Sequence, residues 1–245
     1  MKTIASITSA VASLLAAAPA VAQSVPTIGA EVTTDEVRRG LSWSGGRGAL
    51  SADIAADIAG FDASARVVTL RDAPRHAGAD AVADLELGRR FDLGGFSLRG
   101  AVIGHLFAGS AIGADYVELG GTASYTLGPV TLDAGARYAP DQRAIGGDNL
   151  YLFANASAAL IGTPLTASAG IGRTSGSTDD PVRAARLRPS GNYADWRLGV
   201  SYVLRPVTLS LDYVATDIDD RRPVSPFADY EHVGDRLVGR VRVAF

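Results

Sequence analysis

Asp235-Arg-Leu-Val-Gly-Arg-Val-Arg-Val-Ala-Phe245 is the stretch that decides the fold. In an extended strand, alternate side chains point to opposite faces. Leu237, Gly239, Val241, Val243 and Phe245 therefore share one face, and Val238, Arg240, Arg242 and Ala244 share the other. Two arginines oppose an apolar row that ends on an aromatic ring. Water does not suit that row, and a hydrocarbon core does not suit the arginines. A strand set between lipid and a wet lumen satisfies both, with its aromatic at the interface, as in the strands of outer-membrane β-barrels. Leu237, Val241, Val243 and Phe245 also resemble the terminal signal that bacterial barrel-assembly machinery reads.

The same two-residue period recurs upstream. Val117, Leu119, Gly121, Ala123, Tyr125 and Leu127 oppose Glu118, Thr122, Ser124 and Thr126. Trp196, Leu198, Val200, Tyr202 and Leu204 oppose Arg197, Gly199 and Ser201. This alternation excludes helix. About twelve strands are expected: Ile28–Arg38, Ala49–Ala59, Phe61–Leu70, Asp80–Phe91, Phe96–Phe107, Tyr116–Leu127, Val130–Ala139, Leu150–Ile161, Leu165–Arg173, Asp195–Leu204, Val207–Thr216 and Asp235–Phe245. Each is near the length a tilted strand needs to cross a bilayer. Tight connections at Gly60, Asp92–Gly95, Gly128-Pro129, Gly162–Pro164 and Arg205-Pro206 alternate with longer ones at Arg39–Gly48, Arg71–Ala79, Ala108–Asp115, Pro140–Asn149, Thr174–Ala194 and Asp217–Gly234. Short turns on one side and long loops on the other are the habit of an antiparallel up-and-down membrane barrel. Arg89 falls on the apolar face of its strand, which implies either a side chain snorkelling to headgroups or a bulge that shifts the register.

The other end of the chain agrees. Lys2 precedes an apolar run, Ile4–Ala18, and Ala20-Val21-Ala22 is a small-x-small site. Residues 1–22 are expected to be a cleaved signal peptide, with Ala20 and Ala22 at the cleavage site, and 23–245 the barrel. An exported Gram-negative chain bound for the outer membrane fits both ends. There are no cysteines, so something other than disulfides, such as a closed sheet, is expected to hold the chain. A net charge of −3 gives no reason to expect nucleic acid as a partner. No Cys/His set for zinc and no phosphate-cradling glycine turn before a helix is present, so no cofactor is expected.

Glu31-Val-Thr-Thr-Asp-Glu-Val-Arg-Arg-Gly-Leu-Ser-Trp-Ser44 resembles the opening of the TorF-type family of bacterial outer-membrane porins. That family opens with a Glu-Val-Thr/Ser-x-Asp-Tyr-x-Phe-Arg-Gly-Ile/Leu-Ser-Gln-Ser pattern. This chain departs from it at Glu36, Arg38 and Trp43. Similar stretches follow at Asp115–Glu118, Ala123–Pro129, Tyr138–Asp141, Asp195–Tyr202 and Asp212–Asp217. The resemblance implies an outer-membrane porin fold and leaves the solute unnamed.

With the apolar faces outward, the pore-lining candidates are Asp53, Asp57, Arg66, Glu86, Arg99, Glu118, Asp133, Arg137, Arg197, Asp212, Arg240 and Arg242, joined by Glu31, Asp35, Asp84, Arg90 and His105. Twelve strands close into a backbone cylinder about 24 Å across, leaving roughly 8–10 Å between side chains. The charges either line a narrow pore for small hydrophilic solutes and ions, or pair across strands and plug a structural, non-conducting barrel. The loop Thr174–Ala194, with Arg183, Arg186 and Arg188, could fold inward, contact outer-membrane lipopolysaccharide, or lie in solvent. The carboxylates of Asp217–Asp220, Asp229, Glu231 and Asp235 lack a cation-loop spacing. A rim hydrolase would need His105 beside Ser110, and no motif frames that pair. Nothing marks an oligomer interface.

Overall fold

A computed structural model describes residues 25–218 and 225–245; the expected signal segment, with Ala20 and Ala22, lies outside them. Twelve antiparallel strands close into one barrel in which each strand pairs with its neighbours in sequence and the first pairs with the last. The strands are β1 Thr27–Thr33, β2 Ala49–Ile58, β3 Phe61–Ala73, β4 Ala79–Leu93, β5 Phe96–Ala108 and β6 Tyr116–Leu127. They continue as β7 Val130–Gln142, β8 Gly147–Ala159, β9 Leu165–Ser175, β10 Tyr193–Leu204, β11 Val207–Thr216 and β12 Arg236–Ala244. The tight turns gather at one end. There Ile28 and Phe245 exchange backbone hydrogen bonds of 3.1 and 2.9 Å beside the β1–β12 seam. The longer connections gather at the other.

The expected strand count holds, while several boundaries shift and two of the expected longer loops become as short as the turns. β1 stops at Thr33 rather than Arg38: the Thr33 hydroxyl donates to the Asp35 carbonyl (2.8 Å), and the chain leaves the wall. β3 and β4 lengthen, leaving only 74–78 where a longer loop was expected. β3 does so through an irregularity between Thr69 and Ala73, where Arg71 and Asp72 adopt φ of 59° and 56°. β7 and β8 lengthen likewise, leaving 143–146 between them. At Arg89 the β4–β5 register is unbroken, so no bulge is present. The guanidinium instead lies 5.4 Å from the ring centres of both Phe61 and Phe91, near the tight turns.

The outer face is an apolar belt. Leu85, Leu87, Val102, Leu119, Leu132, Leu152, Leu198, Leu211, Leu237 and Val241 are all exposed large side chains. A water-soluble monomer rarely presents so continuous an apolar surface. Aromatics border it: Phe61, Phe91, Phe96 and Tyr125 toward the tight turns, Tyr138, Trp196 and Tyr213 toward the loops. The buried hydrophobic core lies under the long loops, where Trp43, Leu70, Val82, Tyr116, Ile145 and Leu187 pack together. The rest of the interior is lined by the polar faces of the strands.

Candidate functional site: a charged lumen

Residues 34–48 build the centre of the site. Val37–Arg38 pairs with Leu41–Ser42 across a two-residue turn, Arg39-Gly40. Both turn residues have positive φ (51° and 72°), the conformation that tight hairpins require. A Cβ at Gly40 would run into Thr216 and Asp195, so this position needs glycine for space as well as conformation. Asp35 fixes the base of the hairpin. It accepts from the hydroxyls of Ser42 (2.6 Å) and Ser44 (2.9 Å) and pairs with Arg236 of β12 at 3.0 Å. The tip is held from above: Tyr193 donates to the Arg39 carbonyl (2.9 Å) and Arg236 to the Gly40 carbonyl (2.9 Å).

Two arginines on this hairpin reach the barrel wall. Arg38 meets Asp84 of β4 at 2.7 Å and Glu36 at 2.9 Å. Arg39 Nη2 donates to both oxygens of Glu118 on β6, at 2.6 and 2.8 Å, and Glu118 is fully buried. The wall answers with Arg66 of β3, which donates to Glu36 at 2.8 and 3.1 Å. Burial alone would raise the Glu36 carboxyl; the Arg38 and Arg66 guanidiniums hold it below its ordinary range. His105 lies between Asp84 (2.7 Å) and Glu118 (3.6 Å).

Nearer the tight turns, the expected lumenal residues pair across strands. Asp53 and Arg242 form a two-pronged pair at 2.6 and 2.8 Å. Arg99 bridges Asp62 and Glu86, and Arg240 meets Asp212. Asp133 accepts from Ser124 (2.6 Å). Asp57 stands opposite Asp62 in the register. Arg137 and Arg197 come no closer than 3.9 Å to Glu86 and Asp212, and their side chains are 35% and 42% exposed. These two guanidiniums are accessible to a passing anion. Glu36, Arg38, Arg39, Asp62, Tyr151 and Tyr193 belong to the site but were absent from the sequence-based lining. The run Asp35-Glu-Val-Arg-Arg-Gly40 was the available signal, because four charges in five residues suit no lipid-facing strand.

A folded cap covers the long-loop end. The segment 176–192 does not hang in solvent: residues 184–188 are buried, and Leu187 joins the core. Arg75 donates to the carbonyls of Ser42, Arg186 and Asp229 (3.0, 2.9 and 3.2 Å). Arg186 returns bonds to the carbonyls of Arg75, Ala114 and Ala144 (3.3, 3.1 and 2.6 Å). Burial pushes Arg186 down to about 10, so it stays charged at neutral pH. Ser110 donates to the His76 carbonyl (3.0 Å), away from a partnership with His105. The acidic loop disperses: Asp217 accepts from the Ala194 amide, Asp229 pairs with His232, and Asp235 accepts from Tyr213. Among the described residues no acidic or His cluster is arranged for a metal ion; Asp219 and Asp220 lie outside them.

His76 makes the cap sensitive to acid. Its ring packs on Trp43 (4.3 Å between centres) and Phe107 (4.8 Å). Burial, reinforced by the charges of Arg186 and Arg75, holds it well below 6.5. Above that pH the imidazole is neutral whether the cap is folded or open, and there is no penalty. Below it, the opened loop takes up a proton that the folded cap refuses. Cap stability should then fall by up to about 1.4 kcal/mol per pH unit until the folded-state value is reached. Hydrogen exchange of residues 74–78 between pH 7 and pH 5 measures this, and His76→Phe should flatten that part of the profile.

The family model described as "Bacterial protein of unknown function (Gcw_chp)" matches residues 17–241. None of the curated proteins compared with the chain is similar to it in sequence. Among solved structures, the chain is similar to the COG4313 outer membrane channel from Pseudomonas putida F1. That match has 10% identity and a TM-score of 0.54, covering 93% of this chain and 98% of the other. It is also similar to the KdgM porin, with 8% identity and a TM-score of 0.53 over 89% of this chain and 98% of that one. At such identities the likeness is one of fold.

Proposed function

Since the chain belongs to the Gcw_chp family of bacterial proteins of unknown function, we propose a role from the barrel itself: a porin-like outer-membrane channel for small hydrophilic solutes or ions. The observation that carries this reading is the contrast between the two faces of one closed sheet. Outside lies an apolar belt with aromatic rims; inside lie opposed guanidinium and carboxylate groups around a narrowed passage. Solutes pass down their gradient, and fixed charges bias entry as charged rings do in other channels. No cofactor or energy coupling enters. The likeness to the TorF-type porins at 31–44 supports the same reading, as do the channel and porin similar in fold.

Location follows from the same proposal. Residues 1–22 direct export, and the outward row Leu237, Val241, Val243 and Phe245 is the face that barrel-assembly machinery reads. Lipid surrounds the belt, lipopolysaccharide meets the loop-side rim, and the loops face outward. A rim hydrolase is disfavoured because Ser110 and His105 are each committed to other partners.

Single-channel recording of the refolded mature chain tests the proposal, and reproducible conductance steps are expected. Arg197→Glu should move the reversal potential toward cation preference, because an accessible positive charge is replaced by a negative one. A second reading has its own support: the hairpin at 37–42 occupies the lumen and is tied to its walls, as a plug in a structural barrel would be. The absence of steps in a correctly folded preparation would select it.

A further inference from the structure

A chamber of about 380 Å³ lies beside the hairpin, lined among others by Arg39, Glu86, Glu118, Arg137, Tyr116 and Tyr151. Its charges are not fully matched. Glu86 is bonded by Arg99, which leaves Arg137 at 3.9 Å with no hydrogen bond. Arg39 gives both its bonds to Glu118 through Nη2, while Nη1 is buried without a partner. These two guanidiniums flank one tyrosine: Arg39 lies 4.7 Å over the Tyr151 ring, and Tyr151 is the register partner of Arg137. On its other side Arg137 faces Gly120, which has no side chain of its own and lies against that of Ile103.

We propose that this chamber is a binding station for small organic monocarboxylates, whose two oxygens dock between Arg39 Nη1 and Arg137. A guanidinium fork matches a carboxylate in shape, and an unsatisfied buried donor gains most from a charged acceptor. Glu118 and Glu86 line the same space, so a dianion meets repulsion that a monoanion meets only in part. The exposed side of Arg137 supplies the approach. The station deepens the channel reading, on which it rests for access from solution.

The test is titration of the folded barrel with acetate, followed by fluorescence of Trp43, which lines the chamber. Trp196 on the outer face gives a constant background. A saturable response is expected, weakened about tenfold or more by Arg137→Gln and unchanged by Arg205→Gln in an exposed tight turn. Inorganic phosphate should compete poorly at a pH where it carries two charges. A response that never saturates, equal affinity in Arg137→Gln, or equal competition by phosphate would each overturn the station. Conductance of the same preparation separates the two proposals. Channel steps without saturable acetate binding sink the station and leave the channel; saturable binding without steps sinks the channel and leaves a site reached from one mouth of the lumen, with no part in passage.

Discussion

Exchanging Arg38 and Arg39 together for serine is expected to raise single-channel conductance roughly three- to fourfold, from the gain in open cross-section. The hairpin is tethered from the lumen wall by Asp84, Glu118 and Arg66, and two of these ties end on the exchanged arginines. Without them, the buried Glu118 and the half-buried Asp84 lose their guanidinium partners on the hairpin, and His105 stays close to both. An unpaired buried charge costs about 3–5 kcal/mol, and admitting water is the simplest relief. The hairpin then has less reason to stay in the passage, and the passage has more reason to hydrate. Selectivity should change with it: losing two positive charges from the lumen favours cations. The Arg38→Lys, Arg39→Lys pair keeps the charges and should stay near wild-type selectivity. An unchanged conductance in the serine pair would place the constriction elsewhere.

The second large effect concerns stability at the loop end. Arg75→Ala or Arg186→Ala is expected to lower the free energy of cap opening by about 3–5 kcal/mol. Each guanidinium serves three main-chain carbonyls from different loops, and each accepts at its own carbonyl a bond from the other. Removing one leaves three buried acceptors without donors. Lysine should not rescue either position, because one ammonium cannot reach acceptors arranged for a planar fork. Hydrogen exchange at residues 184–188 and protease sensitivity of the loops should rise sharply. The barrel strands should keep their protection, since their ladders do not involve these side chains. Loops no more open in either variant would show that water substitutes for the guanidinium without cost.

The barrel was legible because a half-wet, half-apolar strand imposes its period on the chain regardless of distant partners. Rows such as Leu119, Gly121, Ala123 and Tyr125 gave the outer face directly, and Arg240 and Arg242 gave the inner one. The lining residues were readable for the same reason, although whether they paired was not. Pairing depends on which strands meet, as when Asp53 finds Arg242 across the β1 wall. The hairpin was hidden more deeply. Its first arm, Val37–Arg38, reads as the end of the first strand because Glu31, Thr33 and Asp35 keep the alternation going past the bend, and its tip and second arm fall in the expected loop Arg39–Gly48. The bend follows from a hydroxyl-to-carbonyl bond and from carboxylates elsewhere in the chain. The three departures from the TorF-type pattern are instructive here. Arg38 bonds Glu36 and covers the Trp43 ring at 4.1 Å, so the three unusual residues touch one another.

The hairpin also sets an order of events. Its residues leave the ribosome before its anchors, which are strung far along the chain. Asp84 lies 46 positions away, Glu118 79, Tyr193 154 and Arg236 196. Contacts of such sequence separation form late, after the loops between them have been gathered. The last of them, Arg236, opens the strand that seals the seam. The lumen is therefore at its widest while the barrel is being made, and the hairpin fills it as a final act of assembly.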